Sequence, residues 1–270
     1  MKIGDYVVRK SYGGDVLFCI QEIRERQAIL KGVWYRLLAD APLDDLEAAA
    51  EPMEEDTRGG SLFKPHRLRI AGMKRAAEPY FDVPGKILHL DGDRAYLKKS
   101  IAVYNDLHIP AEGYHMREAD MADALRQLLP MSQPDIVVIT GHDAILKHRF
   151  DGDKQNIRNY KNSMHFVQAV RVARAYERNR DSLTVVAGAC QSHFEALLQA
   201  GANFASSPSR ILIHALDPVY IAAKAAYTPV AETVNIYDVI THTVSGLKGL
   251  GGIETKGNFR MGLPRIGTEN

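Results

Sequence analysis

The sequence predicts an α/β protein: a parallel sheet with helices on both faces, preceded by a small β-barrel. Three observations lead there. From Gly85 onward, short apolar runs alternate with helical patterns, the order that builds a parallel sheet from strands and crossover helices. Two of those runs, residues 135–140 and 183–188, stop at turns that each deliver one reactive side chain, His142 and then Cys190. The first forty residues hold short strands at close spacing with glycine turns, the pattern of a small barrel.

Residues 3–9 alternate as a strand and turn at Lys10-Ser11-Tyr12-Gly13-Gly14. Residues 16–23, 27–31 and 34–38 read as three more strands. The opening Lys2-Ile3-Gly4-Asp5-Tyr6-Val7-Val8 resembles the start of an SH3-like barrel, which sets a first unit at residues 1–40. Residues 41–84 are a linker by composition. An acidic block runs from Asp44 to Asp56, a basic block from Lys64 to Arg75, and prolines stand at 42, 52, 65, 79 and 84. The separation makes the barrel a docking or localising module, expected to be dispensable for chemistry.

Residues 85–270 form the α/β domain. Its strands are expected at 86–90, 111–116, 135–140, 183–188 and 210–216, and its helices at 94–107, 118–129, 162–178 and 192–200. Phe166, Val167, Val170 and Ala173 line one face of the helix at 162–178. Residues 245–267 are glycine-rich and expected to be irregular. Their glycines neither follow a strand nor open a helix, so a phosphate loop is not indicated.

Bulk properties exclude several classes. With 270 residues, 46% hydrophobic and 25% charged, the chain is an ordinary core-forming one. A net charge of +1 is unlike a strongly basic nucleic-acid binder. Two cysteines, Cys19 and Cys190, do not make a disulfide scaffold and point to a reducing compartment. No apolar signal core opens the chain and no run reaches membrane-span length, so a soluble intracellular protein is expected.

In a parallel sheet, ligands and catalytic groups collect at the carboxyl ends of the strands. A thiol and an imidazole delivered there by neighbouring strands make a nucleophile and its base. Cys190 enters a helix, whose amino-terminal amides would lower its pKa. A lone cysteine after an apolar strand is more often a small buried hydrophobe. A strand-end histidine about fifty residues upstream, the caspase spacing, tips the balance toward catalysis. His193 makes a Cys-x-x-His pair with Cys190, but no second pair at ligand spacing accompanies it, so zinc is not expected. His214 reads as a satisfied core histidine.

The arrangement over residues 86–226 resembles clan CD cysteine peptidases, the group of caspases, legumains, gingipains and separases, and implies a caspase-like sheet. A closer resemblance is to the YabG family. It is carried by Ile139-Thr140-Gly141-His142-Asp143, Ala187-Gly188-Ala189-Cys190-Gln191-Ser192, residues 201–208, Leu212-Ile213-His214-Ala215-Leu216-Asp217-Pro218, and the chain's opening. That family implies a sporulation-specific protease processing spore coat and related precursor proteins. It also implies synthesis in the mother-cell cytoplasm and action at the assembling coat; a Cys–His dyad needs no metal or organic cofactor, and no membrane partner is expected. Clan members place glycine after the histidine; here Asp143 follows His142. The expected oxyanion donors are the backbone N–H groups of Asp143 and Cys190, with the Asp143 carboxylate a source of repulsion unless it points away.

Ile87-Leu88-His89-Leu90-Asp91-Gly92-Asp93 supports a rival, an aspartyl-nucleophile phosphatase using Asp91 and Asp93 with Mg²⁺. Its expected downstream partners are missing. A further alternative is a non-catalytic barrel and scaffold. In the peptidase reading Asp91, Asp93 and Asp217 are candidates to bind a basic residue before the scissile bond, since a guanidinium in a closed pocket needs a carboxylate.

Overall fold

The computed structural model describes residues 1–52, 80–146, 152–241 and 243–263. The basic block expected at 64–75, and acidic residues 54–56, lie outside them.

The amino-terminal unit is a five-stranded antiparallel sheet in the order β4-β3-β2-β1-β5. Its strands are β1 (Tyr6–Arg9), β2 (Phe18–Arg24), β3 (Gln27–Gly32), β4 (Leu38–Pro42) and β5 (Leu46–Ala48). Val7, Phe18, Ile20, Ala28, Leu30, Ala41 and Leu46 form its core. Two expectations change. The fourth strand is not 34–38 but Leu38–Pro42, because residues 33–37 leave the sheet and lie on the second unit. The sheet also runs into the expected linker. Leu46 to Ala48 pairs with β1, and Asp45 of the acidic block accepts from Arg9 at 2.9 Å and from Ser11.

The second unit is a six-stranded sheet in the order β12-β11-β10-β9-β7-β8. Its strands are β7 (Ile87–Asp91), β8 (Ala111–His115), β9 (Ile136–Thr140), β10 (Thr184–Ala187), β11 (Phe204–Ser206) and β12 (Leu250–Gly252). All neighbours are parallel except β12, which is antiparallel to β11. The helices are α1 (Arg94–Asp106), α2 (Met121–Ser132), α3 (Ser163–Tyr176), α4 (Phe194–Ala200), α5 (Asp217–Tyr227), α6 (Ile236–Thr241) and the short α7 (Gly246–Gly249).

Burial on both faces explains why the strands read as unbroken apolar runs. In β9, Val137 and Ile139 pack under α2, α3 and α4 with Leu125, Phe166 and Leu197. Ile136 and Val138 face α1, α5 and α6 with Tyr104, Val219 and Ile240. The sheet is therefore the middle of three layers.

The apolar run at 210–216 is not a strand. Its residues are apolar because they cover Cys190 and meet the amino-terminal sheet, where Leu212 packs on that sheet's core. The strand beside β10 is instead β11, only three residues long and too short to show a period. The glycine-rich tail, expected to be irregular, supplies β12 and a further strand, β13 (Arg260–Gly262). β13 pairs with β6 (Phe81–Val83) in a two-stranded ribbon.

Candidate active site

β7 lies between β8 and β9, so the chain runs outward in both directions from the β7–β9 pair. Such a switch point opens a crevice at the carboxyl ends of the strands. Register puts Asp91 beside Thr140 and Ala187 beside Ile139. His142 follows β9 by two residues and Cys190 follows β10 by three, so both rise from adjacent strands at this rim.

His142 is 7% exposed and held on four sides. Its backbone N–H donates to Glu118 Oε1 at 2.8 Å, and its carbonyl accepts from Asn162. Gly141 is needed for the first contact, since a Cβ there would stand 2.5 Å from Glu118 Oε1. Ring Nε2 lies 3.0 Å from Asp93 Oδ2, and Nδ1 faces the cleft, 3.2 Å from the carbonyl oxygen of Arg36. Asp93 also caps α1 through Ala95 N–H and Tyr96 N–H and accepts from Lys31 Nζ at 2.7 Å. Burial works against its ionisation, but His142, Lys31 and the helix amide hold its carboxyl well below the usual range.

Cys190 is fully buried. Its thiol lies against Ile213, accepting from that N–H at 3.3 Å. Gln191 next to it adopts φ +55°, a left-handed turn uncommon without glycine. Burial pushes the thiol up to about 12, opposed by the Ile213 amide and by Arg36, whose guanidinium and backbone lie nearby. This reverses the expectation of a lowered pKa. The helix start that was to stabilise a thiolate belongs instead to His193, the N-cap of α4, which accepts from Ala196 N–H; the helix itself begins at Phe194. His193 Nε2 also bonds the Gln155 carbonyl at 2.8 Å, so its role is structural. Among the described residues no cluster of three His, Cys, Asp or Glu side chains could hold a metal.

The two loops are fastened together by Asp143. Its Oδ1 accepts from Ala144 N–H and Asn162 N–H, and its Oδ2 from the hydroxyls of Ser163 and Ser192. The carboxylate thus points into this network. Burial pushes its pKa up, against these hydrogen bonds. Ile145 N–H to Gln191 Oε1 adds a second tie at 3.3 Å.

The three candidate aspartates part company. Asp91 is fully buried and both oxygens accept from Arg36 Nη1, at 2.8 and 2.7 Å. Burial opposes its ionisation, but Arg36 and His89 hold the carboxyl at about 2. Asp217 is also fully buried and accepts from the backbone N–H groups of Val244 and Ser245. Asp93 serves His142. His214, expected in a core strand, lies in the segment over Cys190 and bridges antiparallel to Tyr35.

The residues that sequence reasoning missed all come from other segments: Lys31 and Arg36 from the barrel, Glu118 before α2, and Tyr96 on α1. Arg36 is completely buried within the catalytic unit, and its Nε and Nη2 donate to the Ala215 carbonyl. The single O–H of Tyr96 is shared between the carbonyls of Gly32 and Tyr35. The amino-terminal sheet is therefore docked beside Asp91, Asp93 and His142, contrary to the expectation that it stands apart from them. Nothing around Arg36 in the sequence signals this, because the partner Asp91 is fifty-five positions away.

Fold and site together define a class: an α/β protein whose thiol and imidazole share the carboxyl rim of a parallel sheet. Residues 2–264 match the family model of the YabG peptidase U57 family, and the chain belongs to that family. It is 45% identical, over 97% of its own length and 98% of the relative's, to the sporulation-specific protease YabG of Bacillus subtilis (strain 168). The chain is a member of a peptidase family, as its resemblance implied. The phosphatase alternative is set aside by this family membership. No described helix is long and apolar enough to cross a membrane.

Proposed function

We propose that this chain is a cysteine endopeptidase of sporulation that cleaves after a basic residue, with Cys190 as nucleophile and His142 as its base. The observation that carries the reading is convergence on one residue. His142 Nδ1 lies 3.2 Å from the Arg36 carbonyl oxygen, and the Cys190 thiol is held at Ile213, two residues from the Ala215 carbonyl that the Arg36 side chain bonds. A peptide laid where residues 34–36 lie brings its carbonyl to the imidazole.

With Nε2–H donated to Asp93, Nδ1 takes the thiol proton as sulfur attacks the carbonyl carbon. The C–N bond breaks, and the leaving amine takes the proton back from His142. Water then hydrolyses the thioester with His142 again as base. The backbone N–H groups of Asp143 and Cys190 supply the oxyanion site; a carboxylate turned toward Ser163 and Ser192 does not oppose them. Asp93 is a positioning residue for the ring.

Asp91 is the carboxylate that selects the basic residue. A guanidinium already fits its pocket, with Nη1 shared by both oxygens of Asp91 and its carbon 5.1 Å over the ring of Tyr96. Asp217 tethers residues 244–245, and Asp93 is committed to His142, so neither takes this part. Histidine after one core strand and cysteine after the next is the clan CD arrangement, which supports a caspase-like core. The opening strands support an SH3-like barrel. No cofactor enters this chemistry. Membership of the YabG family supports precursor proteins of the spore coat as substrates, reached from the mother-cell cytoplasm.

Wild type, Cys190→Ala and His142→Ala are to be compared on casein and on a spore-coat extract, with iodoacetamide and with a chelator. Loss of cleavage in both variants and with iodoacetamide is expected, about 10³-fold or more. Full activity in either variant, or inhibition by the chelator alone, overturns the dyad. Sequencing the new termini tests specificity: mostly Asp or Asn before the cut refutes a basic preference.

A further inference from the structure

Residues 33–37, the tip between β3 and β4, lie in the cleft in the manner of a peptide. Ala215 N–H donates to the Trp34 carbonyl at 2.9 Å, and Tyr35 pairs antiparallel with His214. Adding a strand to an exposed edge is a general way of holding an extended peptide. Arg36 follows. Its side chain fills the pocket of Asp91, Tyr96 and the Ala215 carbonyl, and its own carbonyl faces His142.

Beyond Arg36 the likeness to a substrate ends. A substrate continues across the cleft and offers its leaving amide to the acid. Here Leu37 N–H donates back to the Tyr35 carbonyl at 2.7 Å, a three-residue turn centred on Arg36. The Leu37 carbonyl then accepts from Gly32 N–H at 2.8 Å, which returns the chain to the barrel. The ladder from Lys31↔Leu38 to Gln27↔Pro42 grips both sides of the tip. A break after Arg36 would leave both ends in place, so the cleft would not empty. Tyr96 OH, bonded to the Gly32 and Tyr35 carbonyls, and Lys31, paired with Asp93, clamp the tip from below. Gly32 permits this closeness, since a Cβ there would stand 2.5 Å from the Tyr35 carbonyl oxygen.

We infer, building on the cysteine-peptidase reading above, that the β3–β4 tip is a tethered inhibitor of its own active site: residues 34–36 occupy the positions of a bound peptide, Arg36 fills the specificity pocket, and an arginine-bearing substrate reaches Cys190 only when the tip is displaced. The buried, protonated thiol belongs to this closed arrangement. The barrel is thereby a regulatory element and not only an address.

The test uses the full chain in a Cys19→Ser background, so that iodoacetamide reports Cys190 alone. Wild type, Arg36→Ala, Arg36→Lys, Tyr96→Phe and Cys190→Ala are assayed with a short fluorogenic peptide carrying arginine before the reporter. Arg36→Ala is expected to lower KM and speed Cys190 alkylation, each about tenfold or more, with Arg36→Lys between it and wild type. Tyr96→Phe keeps the ring under the guanidinium but frees the tip, so its alkylation also quickens. Should Arg36→Ala fail to fold, with Asp91 stranded, Tyr96→Phe decides. Unchanged KM and alkylation in the folded variants overturn the inference. Peptide cleavage by Cys190→Ala overturns instead the dyad beneath it, so the two failures are distinguishable.

Discussion

Asp91 and Asp143 stand at the same sheet rim, equally shut off from water, yet their pKa values move in opposite directions. Asp91, at the end of β7, meets a guanidinium from the barrel and is held at about 2 against the effect of burial. Asp143, past β9, meets only neutral donors from its own unit, two amides and two hydroxyls, and burial pushes it up. A full complement of hydrogen bonds satisfies a buried carboxylate without supplying the charge that would keep it comfortably ionised. The difference also separates roles. Asp143 ties the His142 loop to the Cys190 loop with groups that cannot leave. The partner of Asp91 sits on a hairpin tip from another unit, which can.

The largest effect that can break this contrast is loss of the Asp91 charge. Asp91→Leu leaves a buried guanidinium uncompensated and is expected to cost about 3–5 kcal/mol in urea unfolding. Arg36→Met in the same chain should recover most of that loss. Simple additivity of the two substitutions would show that the pair is not coupled. Asp143→Asn keeps the volume but turns a donor toward donors, and should cost about 1–3 kcal/mol. A loss confined to the Asp143 network should leave the Asp91 variants unaffected in a combined melt.

pH sharpens the contrast further, because the signs differ. A carboxyl depressed in the folded state stabilises above its unfolded pKa of about 3.9 and loses that contribution as pH falls toward the folded value of about 2. Asp143 is raised, so its contribution is fullest below about pH 3.9 and declines as pH climbs above that. Unfolding free energies measured from pH 2 to 6 should show Asp91→Asn flattening the acid limb and Asp143→Asn flattening a slope of opposite sign. Slopes of the same sign would refute the comparison. The smallest effect is expected at the half-open end of the tip. Lys31→Met removes one partner of Asp93, which keeps His142 and two helix amides, and should cost no more than about 1 kcal/mol in the same melts.

What the sequence revealed, and what it withheld, follows from the range of the interactions. β7, β9 and β10 are buried on both faces, so their apolar runs stand out, and the turns after them expose His142 and Cys190 in the chain itself. α3 showed its face because Phe166, Val167, Val170 and Ala173 repeat at helical spacing. β11 and β12 are three residues each and are strands only because a neighbour pairs with them. Residues 210–216 misled because their apolarity serves the cover of Cys190 and the barrel contact, not the sheet. The placement of His142 and Cys190 after adjacent strands was legible; their surroundings were not. Asp93 read as a phosphatase or pocket carboxylate and is a helix cap and a partner of the imidazole. Arg36 carried no local sign, since its meaning depends on Asp91 and Ala215, which only the folded chain brings to it.

The β6–β13 ribbon carries a consequence for how the polypeptide can be rewired. Val83 pairs with Arg260 and Phe81 with Gly262, so the strand that enters the six-stranded unit and the strand that leaves it run side by side. Paired Cα atoms in such a ribbon are about 5 Å apart. The unit is therefore nearly a closed ring of chain, and a linker of a few residues from Leu263 to Tyr80 would complete it. A circular permutant reopened at an exposed loop would keep every strand of the sheet in its place, while the barrel would have to be supplied as a separate polypeptide.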